Sequence, residues 1–193
     1  MTTFFTSDWH FTHKNIVEFT DRKKIITQEE HDEWAIRLWN SQVNPEDTVF
    51  QLGDMVFNRK TAEAWRKFMY RLNGRIVNIK GNHDNYAACV EAGFEMHDYV
   101  EYTHTSPAGI KQHIVMSHYP MAVWNGSHRG TFMLHGHCHG SYRVAQGKIL
   151  DVGLDSAYNI LGEHRLFTFD DVSEYMSKRK IHCVDHHNNE NMQ

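Results

Sequence analysis

The residues of this chain best suited to chemistry are histidines, aspartates and one asparagine, gathered in five short groups. Histidine accounts for 16 of the 193 residues, and it is the commonest metal ligand in proteins. Imidazole, carboxylate and amide donors together favour Mn, Fe, Zn, Co or Ni over Ca or Mg alone. The mixture therefore predicts a centre for divalent metal ions. The five groups are Asp8-Trp9-His10, Gly53-Asp54, Gly81-Asn82-His83-Asp84, His118 and His135-Gly136-His137-Cys138-His139.

Two of these groups place candidate ligands two positions apart. A single residue separates Asp8 from His10, and a single residue separates His137 from His139. Side chains at i and i+2 of an extended chain point to the same side. Each pair can therefore reach one metal site, or two neighbouring sites. A carboxylate such as that of Asp54 can bridge two cations, so the pattern is compatible with a two-metal centre.

Each group follows a segment that is predicted to be a strand, because the preceding residues are β-branched, aliphatic or aromatic. Ligands in α/β proteins collect at the carboxyl ends of strands. We therefore expect five loops to deliver oxygen and nitrogen donors to one edge of a sheet. The five strands are predicted over residues 3–7, 48–52, 75–79, 110–117 and 130–134.

Helices are predicted between the first three strands. Residues 28–42 carry apolar side chains spaced by four, and Thr27 with Glu30 has the form of a capping box. Residues 60–72 carry a second apolar stripe, which ends at Asn73-Gly74. This alternation predicts an α/β fold with a parallel or mixed sheet. Further strands are predicted at 95–103, 141–145, 148–152 and 165–169, and further helices at 86–92 and 170–179.

The five groups, in this order, resemble the complete signature of the calcineurin-like metallophosphoesterases, especially their small single-domain bacterial and phage members. The matching residues span positions 8 to 139, which is most of the chain. A lone Asp-x-His or Gly-Asp is weak evidence, whereas all five groups in order, each after a predicted strand, are specific. The resemblance implies a sandwich of two mixed β-sheets flanked by helices. It also implies hydrolysis of phosphate esters at two divalent metal ions, with Mn as first choice and Fe, Zn, Co or Ni as alternatives.

The resemblance further implies a role for each matching residue. His83 would face the substrate as a general acid or as a hydrogen-bond donor to the transition state. Apart from the resemblance, Asp84 could orient the ring of His83 or, as its neighbour in sequence, point elsewhere. The ligands of one metal would be Asp8, His10 and His139, those of the other would be Asn82, His118 and His137, and Asp54 would bridge the two.

Such a centre would attract phosphate although the whole chain is acidic. Two divalent cations outweigh the negative charges of Asp8, Asp54 and a bridging hydroxide. A metal ion can lower the pKa of bound water to about 7, so this hydroxide would form near neutral pH. It would then attack phosphorus in line with the leaving oxygen, which His83 could protonate.

The run after Gly53-Asp54 departs from the protein Ser/Thr phosphatases of this superfamily. Those enzymes carry Gly-Asp-x-x-Asp-Arg-Gly, whose second Asp supports the catalytic histidine, and Phe57 stands at that position here. The departure favours a phosphodiesterase or phosphatase acting on a small-molecule or nucleotide substrate.

Two residues outside the five groups could also contact a substrate. Arg22, which is followed by Lys23 and Lys24, is a candidate for binding the substrate phosphate, although surface charge is the commoner role of such a cluster. His13 comes three residues after His10 and is expected at the same edge of the sheet.

Composition restricts the class of protein. Apolar residues make up 40% of the chain, so a core can be buried and global disorder is excluded. Lys and Arg number 20 against 24 Asp and Glu, and this net charge of -4 disfavours extended nucleic acid as a partner. The sequence shows no secretory signal and no apolar run near the about 18 residues of a membrane span. Three scattered cysteines, without a Cys-x-x-Cys pair, favour a cytoplasmic setting.

We expect residues 1–184 to form one domain and residues 185–193 to form a polar C-terminal tail. A small phosphate ester is the expected partner, and a homo-oligomer is compatible with the sequence. Two other functions remain open. One is a catalytically inactive protein-binding scaffold of the same fold, which would be expected to have lost ligands. The other is a nuclease acting on short nucleic-acid ends.

Overall fold

The structure is a computed structural model, and it describes residues 1–20, 22, 27–57, 61–142 and 146–183. Nine strands form two mixed β-sheets in these residues. The first sheet contains Thr3–Thr6 (β1), Thr48–Gln51 (β2), Arg75–Ile79 (β3), Met96–His97 (β4) and Phe167–Thr168 (β9). Its strand order is β4-β3-β2-β1-β9. The strands from β4 to β1 run parallel to their neighbours, and β9 pairs with β1 in the antiparallel sense.

The second sheet contains Tyr99–Thr105 (β5), Lys111–Ser117 (β6), Phe132–His135 (β7) and Ile149–Asp151 (β8). Its order is β5-β6-β7-β8, with an antiparallel pair β5-β6 and parallel pairs β6-β7 and β7-β8. The prediction of two mixed sheets flanked by helices is therefore confirmed.

Six α-helices connect or flank these strands in the described residues. The predicted capping box is present, since Thr27 accepts from the backbone N–H of Glu30, and the Glu30 carboxylate accepts from that of Thr27. It satisfies backbone donors that would otherwise lack a partner at the helix start. The helices are Ile16–Phe19 (α1), Gln28–Asn40 (α2), Ala62–Met69 (α3), Tyr86–Glu91 (α4), Leu154–Leu161 (α5) and Phe169–Ser177 (α6).

The core has two layers because successive side chains of each strand point to opposite faces. Phe5 and Phe50 point between the sheets, where they pack in one cluster with Leu134 of the second sheet. The neighbouring residues of β1 and β2 point to the other face and pack with Trp39 and Trp65 of the helices. This double burial holds the ends of β1 and β2 at a defined place.

Several elements differ from the prediction or lie outside the described residues. Helices α1 and α5 were not predicted, and α5 begins three residues after β8. Ser141 and Tyr142, at the start of the strand predicted at 141–145, are not in a strand, and residues 143–145 lie outside the described residues. The predicted tail at 185–193 also lies outside them. Among the helices of the described residues, none combines the length and the apolar composition that crossing a membrane requires.

Candidate metal centre

The seven side chains expected to bind metal come together at the carboxyl ends of five strands. Asp8, Asp54 and Asn82 follow β1, β2 and β3 of the first sheet, and His118 follows β6 of the second. His137 and His139 follow β7. The expectation of a single sheet edge needs correction, because the loops come from both sheets.

One group of donors consists of Asp8, His10 and His139. The Nε2 atoms of His10 and His139 are 3.2 Å apart. Each of these nitrogens lies 3.8 Å from Oδ1 of Asp8. One ligand atom from each of the three residues falls within 4.8 Å of the others, which is close enough for a shared cation.

A second group lies on the other side of Asp54. Oδ2 of Asp54 is 3.6 Å from Nε2 of His10 and 3.6 Å from Nε2 of His118. Oδ1 of Asn82 is 2.9 Å from Nε2 of His118 and 2.9 Å from Nδ1 of His137. The Asp54 carboxylate therefore lies between the two groups, where a bridging ligand would be.

The donor set fits divalent cations because acceptor atoms face one another. Nδ1 of His118 is 2.8 Å from the carbonyl oxygen of Leu52, so it must donate its proton there. Burial lowers the pKa of His118, so its ring is neutral and Nε2 presents a lone pair. That lone pair faces the oxygens of Asn82 and Asp54. A cation between these atoms would satisfy all three.

The surroundings of Asp8 also favour a bound cation. Its side chain is fully buried, and burial raises its pKa to about 8 although His139 lowers it. The carboxylates of Asp151 and Asp54 also raise it. A bound cation would stabilise the ionised carboxylate of Asp8, because a metal ion is the largest local charge in such a site.

The backbone of the ligand loops is held in an uncommon conformation. Among the described residues, six that are not glycine have positive φ, and five of these six are expected ligands. Each such residue costs about 1–3 kcal/mol and persists only where surrounding contacts impose it, which occurs mainly at functional sites. The six are Asp8 (61°), His10 (52°), Thr12 (70°), Asp54 (55°), His137 (69°) and His139 (46°).

Two glycines allow the loops to approach each other closely. A Cβ atom on Gly81 would collide with the carboxylate and backbone nitrogen of Asp54. A Cβ atom on Gly136 would collide with the side chain of Ser7. Glycine at these positions lets the loops after β3 and β7 reach the loops of their neighbours.

His83 faces the cavity beside the two groups of donors. Its backbone N–H donates to Oδ1 of Asp54 at 2.9 Å, which ties its loop to the candidate bridging residue. Its ring centroid lies 5.7 Å from that of His10 and 4.7 Å from that of Phe57. The ring is therefore available to a substrate, and its catalytic role stays a prediction.

Asp84 does not orient the ring of His83, so the expected role needs correction. Its carboxylate accepts four backbone hydrogen bonds, from Gly81, Asp54, Met55 and Val56, at 2.8 to 3.1 Å. It thereby joins the loop after β3 to the loop after β2. Asp84 shapes the backbone on which Asp54 and Asn82 are presented.

Arg22 is also placed differently from the expectation that it binds the substrate phosphate. It is only 2% exposed, and its Nε and Nη2 donate to the two carboxylate oxygens of Asp155 at 3.0 Å. Further donations go to the carbonyl oxygens of Asp8 and Trp9 at 2.8 and 3.3 Å. The guanidinium therefore points into the protein. Lys23 and Lys24 lie outside the described residues.

Asp155 is a residue of the site that sequence reasoning missed. Its Oδ2 accepts from Nδ1 of His139 at 2.6 Å. Burial alone would raise the pKa of Asp155, but Arg22 and His139 lower it, so the carboxylate is ionised. Burial lowers the pKa of His139, but the hydrogen bond that His139 donates to Asp155 and the nearby carboxylates raise it above its ordinary value. The position of Asp155, four residues after β8, was the available signal, since ligands follow strands elsewhere in the chain.

A cavity of about 670 Å³ opens in front of the donors. Five histidines line it, namely His10, His13, His83, His137 and His139. The apolar side chains of Ile16, Phe19 and Phe57 line it as well, and those of Phe19 and Phe57 lie beside His13. His13 thus lies at the same edge as His10, as expected, and burial lowers its pKa.

The chain is similar to known proteins over most of its length. The family model for calcineurin-like phosphoesterases matches residues 1–191. An uncharacterized protein of Methanocaldococcus jannaschii is 32% identical over 136 residues, which cover 70% of this chain and 68% of the relative. The Gene 66 protein of Mycobacterium phage D29 is 26% identical over 185 residues, covering 81% of this chain and 89% of the relative.

A solved structure shares the fold. The crystal structure of a protein of unknown function from Aquifex aeolicus superposes with a TM-score of 0.60 at 19% identity, covering 90% of this chain and 98% of that one. At this identity the likeness concerns the arrangement of strands and helices alone.

Proposed function

Because the chain belongs to the calcineurin-like phosphoesterase family, we propose that it hydrolyses phosphate esters of small molecules or nucleotides at a centre of two divalent cations. The observation that carries the proposal is the convergence of carboxylate, imidazole and amide donors from five loops, with the Asp54 carboxylate between two groups. Such donors suit Mn first, and Fe, Zn, Co or Ni as alternatives.

Each group of donors would hold one cation. Asp54 contributes to both, which its equal distances of 3.6 Å to His10 and His118 support. Bound divalent cations would supply the positive charge that neutralises phosphoryl oxygens and lowers the pKa of water. The first group is Asp8, His10 and His139, and the second is Asn82, His118 and His137.

His83 would act on the leaving group of the ester. Its ring lines the cavity, and its backbone N–H is fixed to Asp54, so the ring is held near the donors without belonging to them. An imidazole titrates close to neutral pH and can protonate a leaving oxygen. Phe57 packs against this ring at the sequence position where protein phosphatases carry an aspartate, which supports a substrate other than a phosphoprotein.

The intact donor set supports catalysis over an inactive scaffold, since a binding module does not need strained ligand loops. The net charge of -4 disfavours a long nucleic acid as the substrate. Elemental analysis after Mn loading tests the metal centre separately from activity. Two ions per chain are expected, and well under one ion per chain would favour the scaffold.

Turnover of a bis-aryl phosphodiester and of an aryl phosphomonoester by the Mn-loaded protein tests the activity. We expect hydrolysis of at least one ester, with diester preference indicating a phosphodiesterase. The substitution Asp54→Asn should lower kcat/KM by at least about a hundredfold, because even outer partners of metal ligands contribute 10–100-fold. The matched control is Asp170→Asn at an exposed position of α6. No turnover of either ester by the wild-type protein would contradict the proposal.

A further inference from the structure

We infer that the substrate carries a planar ring, a nucleobase or aryl group, that packs on the apolar side of the cavity. This apolar wall consists of Ile16 and Phe19 of α1 and of Phe57. The inference rests on the proposed function, because it names the substrate class of the same site. It assigns a binding role to residues that are not part of the metal centre.

Phe19 is the part of the wall most available to a ligand. Its side chain is 72% exposed, although a phenyl ring is among the side chains that gain most from burial. A single exposed apolar residue is common on protein surfaces. Phe19, however, lies at the cavity, with its ring centroid 6.2 Å from that of His13. A planar group entering the cavity would cover this ring.

Phe57 connects the apolar wall to the histidines beside the candidate metal centre. Its ring centroid lies 3.8 Å from that of His13, 4.7 Å from that of His83 and 6.0 Å from that of His10. A phosphoryl group at the donors therefore has the apolar wall directly beside it. An ester whose organic part is a flat ring can reach both at once.

The described lining of the cavity suits an uncharged organic part of the substrate. No Lys, Arg, Asp or Glu is found among the described residues that line the cavity. Arg22, the cation expected there, points inward to Asp155. The described lining therefore offers a ring an apolar surface that carries no formal charge. The volume of about 670 Å³ is in the range of small-molecule sites.

Two ligands that differ only by the ring test the inference. Adenosine 5′-monophosphate and ribose 5-phosphate carry the same phosphate and sugar, and only the first has a base. Their affinities for the Mn-loaded protein are measured by titration calorimetry, which needs no turnover. We expect adenosine 5′-monophosphate to bind at least about tenfold more tightly, the effect of one stacking contact between a base and an aromatic side chain.

Substitutions at Phe19 assign the effect to the wall. Phe19→Ala should weaken binding of adenosine 5′-monophosphate about tenfold and leave binding of ribose 5-phosphate unchanged, which also shows that the metal centre is intact. Phe19→Trp should restore the affinity. The matched control is Tyr70→Ala, since Tyr70 is 70% exposed and is not among the residues that line the cavity.

Equal affinities of the two ligands, failure of adenosine 5′-monophosphate to bind, or full affinity in Phe19→Ala would overturn the inference. The outcome can be told apart from that of the proposed function. Ring-dependent binding without turnover of any ester would overturn the proposed function and support the ring-binding site. Turnover of an ester together with equal affinities for the two ligands would support the proposed function and overturn the ring-binding site.

Discussion

Charged side chains hold the candidate metal ligands in position through hydrogen bonds. Asp155 fixes the ring of His139 through a 2.6 Å hydrogen bond, so that Nε2 of His139 is turned towards Asp8. Arg22 in turn holds Asp155 with two hydrogen bonds and the carbonyl oxygen of Asp8 with a third. Arg22 therefore connects the first loop of the site to the start of α5.

The substitution Asp155→Asn should weaken metal binding by about 10–100-fold, because carboxylates that orient ligating histidines contribute that much to affinity. The amide keeps the shape of the side chain but leaves Arg22 without its buried counter-charge. Competition of the Mn-loaded protein with a chelator measures the effect. Asp98→Asn, at an exposed position, is the matched control. Unchanged metal affinity in a folded variant would show that Asp155 has no positioning role.

At the scale of elements, the site depends on how the strands beneath it are held. The strand β9 pairs with β1, which ends two residues before Asp8, and β9 leads directly into α6. The start of α6 is closed by a capping box, in which Thr168 and Asp171 exchange hydrogen bonds. Arg165 adds two bonds of 2.7 Å to the carboxylate of Asp171. This junction anchors the edge of the first sheet.

The junction should make stability depend on pH through Asp171. Burial alone would raise the pKa of this carboxyl group, but the hydrogen bonds from Arg165 and Thr168 lower it to about 2. Because the folded pKa lies below the unfolded value, the stabilisation is fully present above pH 4 and is lost as the pH falls towards 2. Solvent screens this partly exposed ion pair, so its contribution at pH 7 is at most about 2 kcal/mol.

Urea unfolding of the wild-type protein and of Asp171→Asn measures this contribution. We expect the variant to have a lower free energy of unfolding at pH 7, and the difference between the two proteins to be clearly smaller at pH 3. The same difference at both pH values would mean that the ionised carboxylate is not the stabilising species.

At the scale of the whole molecule, the candidate metal centre lies where the two sheets meet. Its donors come from β1, β2 and β3 of one sheet and from β6 and β7 of the other. Folding brings together donors that are spread from residue 8 to residue 139 and are far apart in the unfolded chain. Cations that bind only the folded arrangement therefore stabilise the packing of the two sheets.

Removal of metal should lower the melting temperature. A cation present at one hundred times its dissociation constant adds about 2.7 kcal/mol to the free energy of unfolding. We expect thermal unfolding, followed by circular dichroism, to shift upward as free Mn²⁺ rises and back when a chelator is added. Asp54→Asn should show a reduced shift. A melting temperature of the wild-type protein that does not change with free Mn²⁺ would contradict metal binding to the folded state.

Local signals in the sequence determined much of this protein. Alternation of strand and helix, the capping box at Thr27 and the polar groups after the strands are short-range patterns. They predicted an α/β fold and the position of Asp8, Asp54 and His118 just after strands, whereas the two mixed sheets were implied by the family resemblance. Tertiary structure alone decided where side chains point. Arg22 turns inward because the buried Asp155 needs a counter-charge, and Asp84 turns to four backbone N–H groups. These choices depend on residues distant in sequence, which is why no local pattern contained them.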